Sequence, residues 1–192
     1  MPRHLRLELL AGVLAATCLS ASPMAQAEPV TDRLGHGDYV LAATDGGTFT
    51  EDALKGVPSA VFFGFTHCPD ICPTTLGDIA VWRDVLGAEA EELRFWFVTA
   101  DPERDTIDLL RNYVSWTPGV TGATGSPEEV AKAIAAFRVY VNKVPFDDGD
   151  YTIDHSALVL LFGRDGRFAD VIRYQEPPED AVAKLRLLLT GG

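Results

Sequence analysis

Apolar residues gather in short blocks along most of this chain, and polar turns separate them. Ser59–Phe65 is an apolar run of the kind found in a buried strand, and Leu93–Thr99 reads as a second central strand. Tyr39–Ala42 and Thr48–Thr50 flank Asp45-Gly46-Gly47, a hairpin signal. Ala157–Phe162 and Phe168–Tyr174 flank Gly163-Arg164-Asp165-Gly166, which reads as a second hairpin. Between these blocks the apolar spacing becomes helical. Leu76, Ile79, Ala80 and Leu86 recur on one helix face after Pro73, a residue suited to a first turn. Ile107, Leu110 and Val114 form a second stripe, with Asp105 or Thr106 as its cap. Ser126-Pro127-Glu128-Glu129 is a capping box that opens a third helix to about Phe137, and Pro178–Leu189 closes the chain as a fourth. This order predicts an α/β fold: a central mixed sheet with helices on both faces and an N-terminal β-hairpin.

The N-terminus breaks the pattern. Arg3 and Arg6 precede the apolar run Leu9–Leu19, which is too short to span a bilayer comfortably, and Ala25-Gln26-Ala27 is an A-x-A cleavage site. The expected organisation is a signal peptide over residues 1–27, followed by one exported domain over 28–192 with a loose lead-in to residue 36. Export from a bacterium would put that domain in the periplasm. Two other readings stay open: the leader kept as a membrane anchor, or Cys18 lipidated. Thr17 speaks against lipidation, because a lipidated cysteine normally follows a small residue. The formal net charge is −12, and losing the leader takes it to −13. So acidic a chain has no general pull toward nucleic acid or anionic lipid; it suits a cationic partner or plain solubility. No nucleic-acid partner is expected, and membrane contact only through a retained leader.

Candidate chemistry lies where the first core strand meets the first long helix. Cys68 and Cys72 stand there in Phe65-Thr66-His67-Cys68-Pro69-Asp70-Ile71-Cys72-Pro73. That is the thioredoxin layout, with three spacer residues in place of two. Cys18, Met1 and Met24 all lie in the leader, so the exported domain has two thiols and no methionine. In an oxidising compartment such a pair closes a disulfide, binds metal or cycles between states. If Cys72 starts the helix, free N–H groups and the positive dipole end favour its thiolate, with Cys68 one turn earlier on the same side. Soft thiolates favour Cu(I), and imidazole suits copper as well. Of the remaining histidines, His36 in the lead-in reads as solvated, and His67, adjacent to Cys68, as supporting or structural. His155 in Asp154-His155-Ser156 precedes the strand Ala157–Phe162. In a thioredoxin-like sheet the loop before that strand faces the cysteine loop, which makes His155 a candidate third ligand. Asp154 is a candidate to orient its ring.

Other chemistries find little footing. Thioether-based copper carriers are excluded, and structural zinc would want a fourth ligand. There is no Walker or Rossmann phosphate loop and no Gly-x-Ser-x-Gly elbow. A purely structural disulfide across a five-residue loop would remove little chain entropy.

Phe63-Gly64-Phe65-Thr66-His67-Cys68-Pro69-Asp70-Ile71-Cys72-Pro73-Thr74-Thr75-Leu76 resembles the cysteine segment of the Sco/SenC family, copper chaperones and thiol proteins that help build cytochrome c oxidase. Asp101-Pro102-Glu103-Arg104-Asp105-Thr106 is similar to its second block, and Asp154-His155-Ser156-Ala157 to the segment that holds its histidine ligand. The resemblance implies a thioredoxin-like fold and one copper ion, as Cu(I) and also as Cu(II), on Cys68, Cys72 and His155. It implies delivery of copper to the oxidase's dinuclear copper centre, or reduction of that centre's cysteines. The implied partner is the oxidase's copper-centre subunit. Another periplasmic copper protein stays open, because many family members keep an N-terminal anchor and this leader reads as cleavable. Asp101–Thr106 reads structurally, as a strand end and helix cap. The alternative function is a periplasmic thiol–disulfide oxidoreductase, with Cys68 and Cys72 as its redox pair and no metal role.

Overall fold

The computed structural model describes residues 33–191; the expected signal peptide, its cleavage site and Cys18 lie outside them. Among the described residues nine strands occur in chain order: β1 (Leu41–Ala43), β2 (Thr48–Phe49), β3 (Ser59–Gly64), β4 (Arg94–Thr99), β5 (Val120–Thr124), β6 (Val141–Pro145), β7 (Tyr151–His155), β8 (Leu158–Phe162) and β9 (Phe168–Arg173). Four α-helices accompany them: α1 (Ile71–Leu86), α2 (Ile107–Val114), α3 (Pro127–Phe137) and α4 (Pro178–Thr190). Seven strands form one sheet in the order β2-β1-β5-β4-β3-β8-β9, and β6 and β7 form a separate ribbon.

The three central strands β3, β4 and β5 run parallel, and β8 joins β3 antiparallel. Every residue of β3 is buried, as a strand covered on both faces must be. Alternation then divides its side chains between two cores. Ala60 and Phe62 face Leu76, Ile79 and Trp82 of α1, Leu110 of α2 and Leu185 of α4. Val61 and Phe63 face Val130, Ala133 and Phe137 of α3, together with Tyr39, Phe49 and Trp96. The expected mixed sheet with helices on both faces and an N-terminal hairpin is the observed architecture.

Two elements differ from the sequence pattern. Residues Val120–Thr124 gave no strand signal because they are mostly small, with a glycine at their centre. Their smallness serves packing: a Cβ on Gly122 would come 2.8 Å from Leu110, so α2 sits directly on the strand. The β6–β7 ribbon also went unpredicted, since it is half-exposed and interrupted by an acidic loop.

The caps resolve as well. Thr106, not Asp105, caps α2, accepting the Leu109 N–H at 3.3 Å. Ser126 accepts the Glu129 N–H at 3.2 Å. Glu129 does not return the bond to Ser126; its carboxylate accepts the Val40 N–H at 2.7 Å and pins the approach to β1 against α3. Among the described residues no helix is long and apolar enough to cross a membrane.

Phe137 is 1% exposed, with its ring 5.1–5.9 Å from those of Tyr39, Phe49, Phe63 and Phe162. Phe137→Ala is expected to lower the unfolding free energy by about 3–5 kcal/mol in urea titration. Val81→Ala on the exposed face of α1 should change it by less than about 1 kcal/mol. Comparable losses for the two would contradict this core.

Candidate metal centre

β3 ends at Gly64 for a steric reason. A Cβ there would lie 2.7 Å from Cys72 Sγ and 2.9 Å from the Phe97 ring. Only a residue without a side chain lets Cys72 pack beneath the strand end. The chain then turns through Thr66-His67-Cys68-Pro69-Asp70 into α1. Asp105 anchors this turn. Its carboxylate accepts the Thr66 N–H at 3.1 Å, the Thr66 hydroxyl at 2.6 Å and the Thr99 hydroxyl at 2.6 Å. Asp105 is fully buried, and burial pushes its carboxyl above the usual carboxylate range, against the pull of those hydrogen bonds. The sequence marked Asp105 as a possible helix cap; only the fold brings it under the cysteine loop, across 39 residues.

α1 begins at Ile71, so Cys72 is its second residue. Asp70 occupies the cap position, yet its side chain makes no capping bond. The Cys72 N–H donates instead to Cys68 Sγ, at 3.3 Å. The expectation that Cys72 is the activated thiolate is therefore corrected. Cys68, half-buried, lies off the helix N-terminus, whereas Cys72 points into the core and is fully buried. The adjacent Cys72 thiol draws the Cys68 thiol down to about 4, with help from the N–H groups of Cys72 and Asp70, against partial desolvation. Burial, reinforced by the neighbouring Cys68 charge, pushes Cys72 up. The pair thus carries one thiolate and one thiol near neutral pH. Both cysteines are free.

His155 approaches from the ribbon. It is the last residue of β7, not a loop residue, and Nε2 lies 3.4 Å from Cys72 Sγ. Its Nδ1 lies 3.1 Å from the Ser156 carbonyl oxygen. A carbonyl only accepts, so Nδ1 carries the proton and the Nε2 lone pair faces the sulfurs. The Phe62 and Phe65 rings meet the imidazole edge-on, at 6.0 and 5.8 Å between centroids. The ligand atoms of Cys68, Cys72 and His155 all lie within 4.8 Å of one another. Cys68 and His155 border an open cleft of about 490 Å³, lined also by Phe65, Pro69, Ile71 and Tyr140, while Cys72 lies buried behind them.

The other candidates stand apart. Asp154 is exposed and makes no hydrogen bond to the His155 ring; the Ser156 carbonyl orients the ring in its place. His67 is exposed and meets only the Thr66 hydroxyl, at 3.1 Å. His36 is half-buried rather than solvated, 3.6 Å from Glu51. Sequence reasoning missed Ser156, whose contribution is a backbone atom, and Thr66, whose partner is remote in sequence.

A family model described as SCO1/SenC matches residues 27–190. A mitochondrial SCO2 homologue of Danio rerio is 40% identical over 141 residues, covering 71% of this chain and 50% of that protein. A SCO2-like protein of Rickettsia conorii is 33% identical over 153 residues, covering 78% of this chain and 75% of its own. The chain spans about half the length of the first curated relatives it matches. Among solved structures, Bradyrhizobium japonicum ScoI with copper bound superposes with a TM-score of 0.75 at 43% identity, covering 81% of this chain and 99% of that one.

The split acidity of the two thiols is open to direct measurement. An ordinary thiol near 8.5 is scarcely ionised at pH 6, whereas one at about 4 is nearly all thiolate. Iodoacetamide at pH 6 should label the reduced protein at Cys68, with Cys72 at least about tenfold slower, read by peptide mass mapping. Equal labelling, or Cys72 first, would contradict the assignment.

Proposed function

The chain belongs to the SCO1/SenC family, and from that footing we propose that Cys68, Cys72 and His155 hold one copper ion as cargo. The observation that carries this reading is the convergence of two sulfurs and one unprotonated imidazole nitrogen within 4.8 Å. Bonds of about 2.0–2.3 Å to thiolate and imidazole spread three ligands roughly 3.5–4 Å apart in a trigonal plane, so small side-chain shifts suffice. The copper seen in the Bradyrhizobium relative supports the same ion here.

Cys68 meets the ion already as a thiolate. Cys72 gives up its proton on binding, and His155 supplies the third bond. A three-coordinate ion at the edge of an open cleft can pass to an acceptor by stepwise exchange of thiolates. The acceptor in this reading is the dinuclear copper centre of cytochrome c oxidase, or another periplasmic copper protein. Export by a leader cleaved after Ala27 leaves residues 28–192 as the working domain; a retained leader would tether it to the membrane.

The free thiols and their split acidity also favour a second reading, reduction of a partner disulfide. The Cys68 thiolate attacks one partner sulfur, forms a mixed disulfide and releases one partner thiolate. Cys72 then loses its proton and attacks Cys68 Sγ, releasing the second. The partner gains two electrons and this chain ends as the Cys68–Cys72 disulfide.

Titration against a Cu(I) chelator separates the readings. The full chain is expected to take one Cu(I), and His155→Ala should weaken binding by about tenfold or more while leaving disulfide formation intact. Binding undiminished in His155→Ala would remove the ligand assignment. The pH dependence has a definite sign. Cys72 is raised, so it is still protonated at pH 7 and each bound ion displaces that proton. Apparent Cu(I) affinity should therefore rise about tenfold from pH 7 to pH 8. A flat profile would mean that Cys72 is not a ligand.

A further inference from the structure

The turn between β4 and α2, Asp101-Pro102-Glu103-Arg104-Asp105, touches both halves of the site. Asp105 holds Thr66, two residues before Cys68. The other members grip the ribbon that ends in His155. Arg104 Nε donates to the buried Asp101 carboxylate. Its Nη1 donates to the Tyr151 carbonyl at 3.0 Å and to the Asp150 carboxylate at 3.1 Å. The guanidinium carbon lies 3.7 Å from the Tyr151 ring centre, and the Tyr151 hydroxyl donates to Asp101 at 2.8 Å. Lys143 of β6 lies 3.7 Å from the same ring and pairs with Glu103 at 2.7 Å. Two cations this close to one ring centre cannot share a face, so the ring is clasped between them.

The grip matters because along β7 itself the backbone does not replace it; the main sheet resumes only at Ala157, whose carbonyl accepts the Tyr174 N–H. β6 and β7 pair with each other and not with the main sheet. Tyr151 and His155 are the first and last residues of β7, and a spacing of four puts them on the same face of that strand. A shift at Tyr151 is therefore carried along five residues of extended chain to the imidazole.

We propose that Arg104 is a positioning residue for the site: through Tyr151 it fixes the β6–β7 ribbon so that the His155 imidazole stays against Cys72. The interaction is with the ribbon and not with the ion, so its first readout needs no metal. The copper readout rests on the ligand set proposed above.

The test uses the full chain, reduced and metal-free, with Arg104→Leu. Nuclear Overhauser contacts between the His155 ring and the Phe62 and Phe65 rings are expected to weaken or vanish, while Cys68 keeps its labelling at pH 6. Copper titration in two backgrounds then reads the coupling. Arg104→Leu should cost about tenfold in Cu(I) affinity beside an intact His155 and nothing further beside His155→Ala. Undisturbed ring contacts, or the same loss in both backgrounds, would overturn the proposal. If His155→Ala itself leaves copper binding unchanged, the ligand set falls and the ring contacts alone judge Arg104. Should Arg104→Leu fail to fold, Arg104→Lys gives the same reading at smaller amplitude. It keeps the charge but cannot span Asp101, Asp150 and the Tyr151 carbonyl together.

Discussion

The hydrogen bond from the Cys72 N–H to the Cys68 sulfur organises the site. A helix start leaves backbone N–H groups without partners, and an oxygen-bearing side chain usually takes one of them. Here the cap residue Asp70 does not, and a sulfur does. A hydrogen bond to a charged group is worth about 1.5–3 kcal/mol, more than its neutral counterpart. The helix therefore stabilises Cys68 as a thiolate, and Cys68 completes the helix. The three-residue spacer belongs to this arrangement: it takes the chain far enough back for the earlier sulfur to face the helix end while the later one turns into the core.

The opposite half of the site depends on a different constraint. Imidazole binds metal only through an unprotonated nitrogen, and in a free neutral ring the proton exchanges between the two nitrogens. The Ser156 carbonyl removes the ambiguity by holding the proton on Nδ1. The ring then needs a fixed position, and its strand has no ladder to the main sheet. Charged side chains of the Asp101–Asp105 turn, closing on the Tyr151 ring of that strand, supply that position. Asp105 in the same turn supports the cysteine loop, so one short segment sets the distance between thiols and imidazole. Burying Asp105 is costly, and three hydrogen bonds offset the cost. A buried carboxyl this well satisfied is a rigid support.

Much of the fold was legible because its strands and helices follow simple periods. β3, β4 and β8 are apolar enough to read as buried strands, and Ser126 and Thr106 announce their helices. β5 was not legible, since close packing by α2 demands small residues that resemble a loop. The ribbon was not legible either; a half-exposed pair of strands gains stability from Tyr151, Arg104 and Lys143, which come together only in three dimensions. The site divided in the same way. Cys68, Cys72 and His155 were identifiable because their chemistry is scarce in the chain. Which cysteine ionises was misread, because sequence spacing does not say which sulfur faces the helix end. Asp154 was named to orient His155 by adjacency, whereas a backbone carbonyl does it.

Copper K-edge X-ray absorption on the full chain loaded with one Cu(I) tests the three-ligand centre most directly. The account predicts two sulfur neighbours at ~2.2–2.3 Å and one nitrogen at ~2.0 Å, with the nitrogen lost in His155→Ala. A wild-type spectrum fitted by sulfur alone, or one unchanged by His155→Ala, would contradict it.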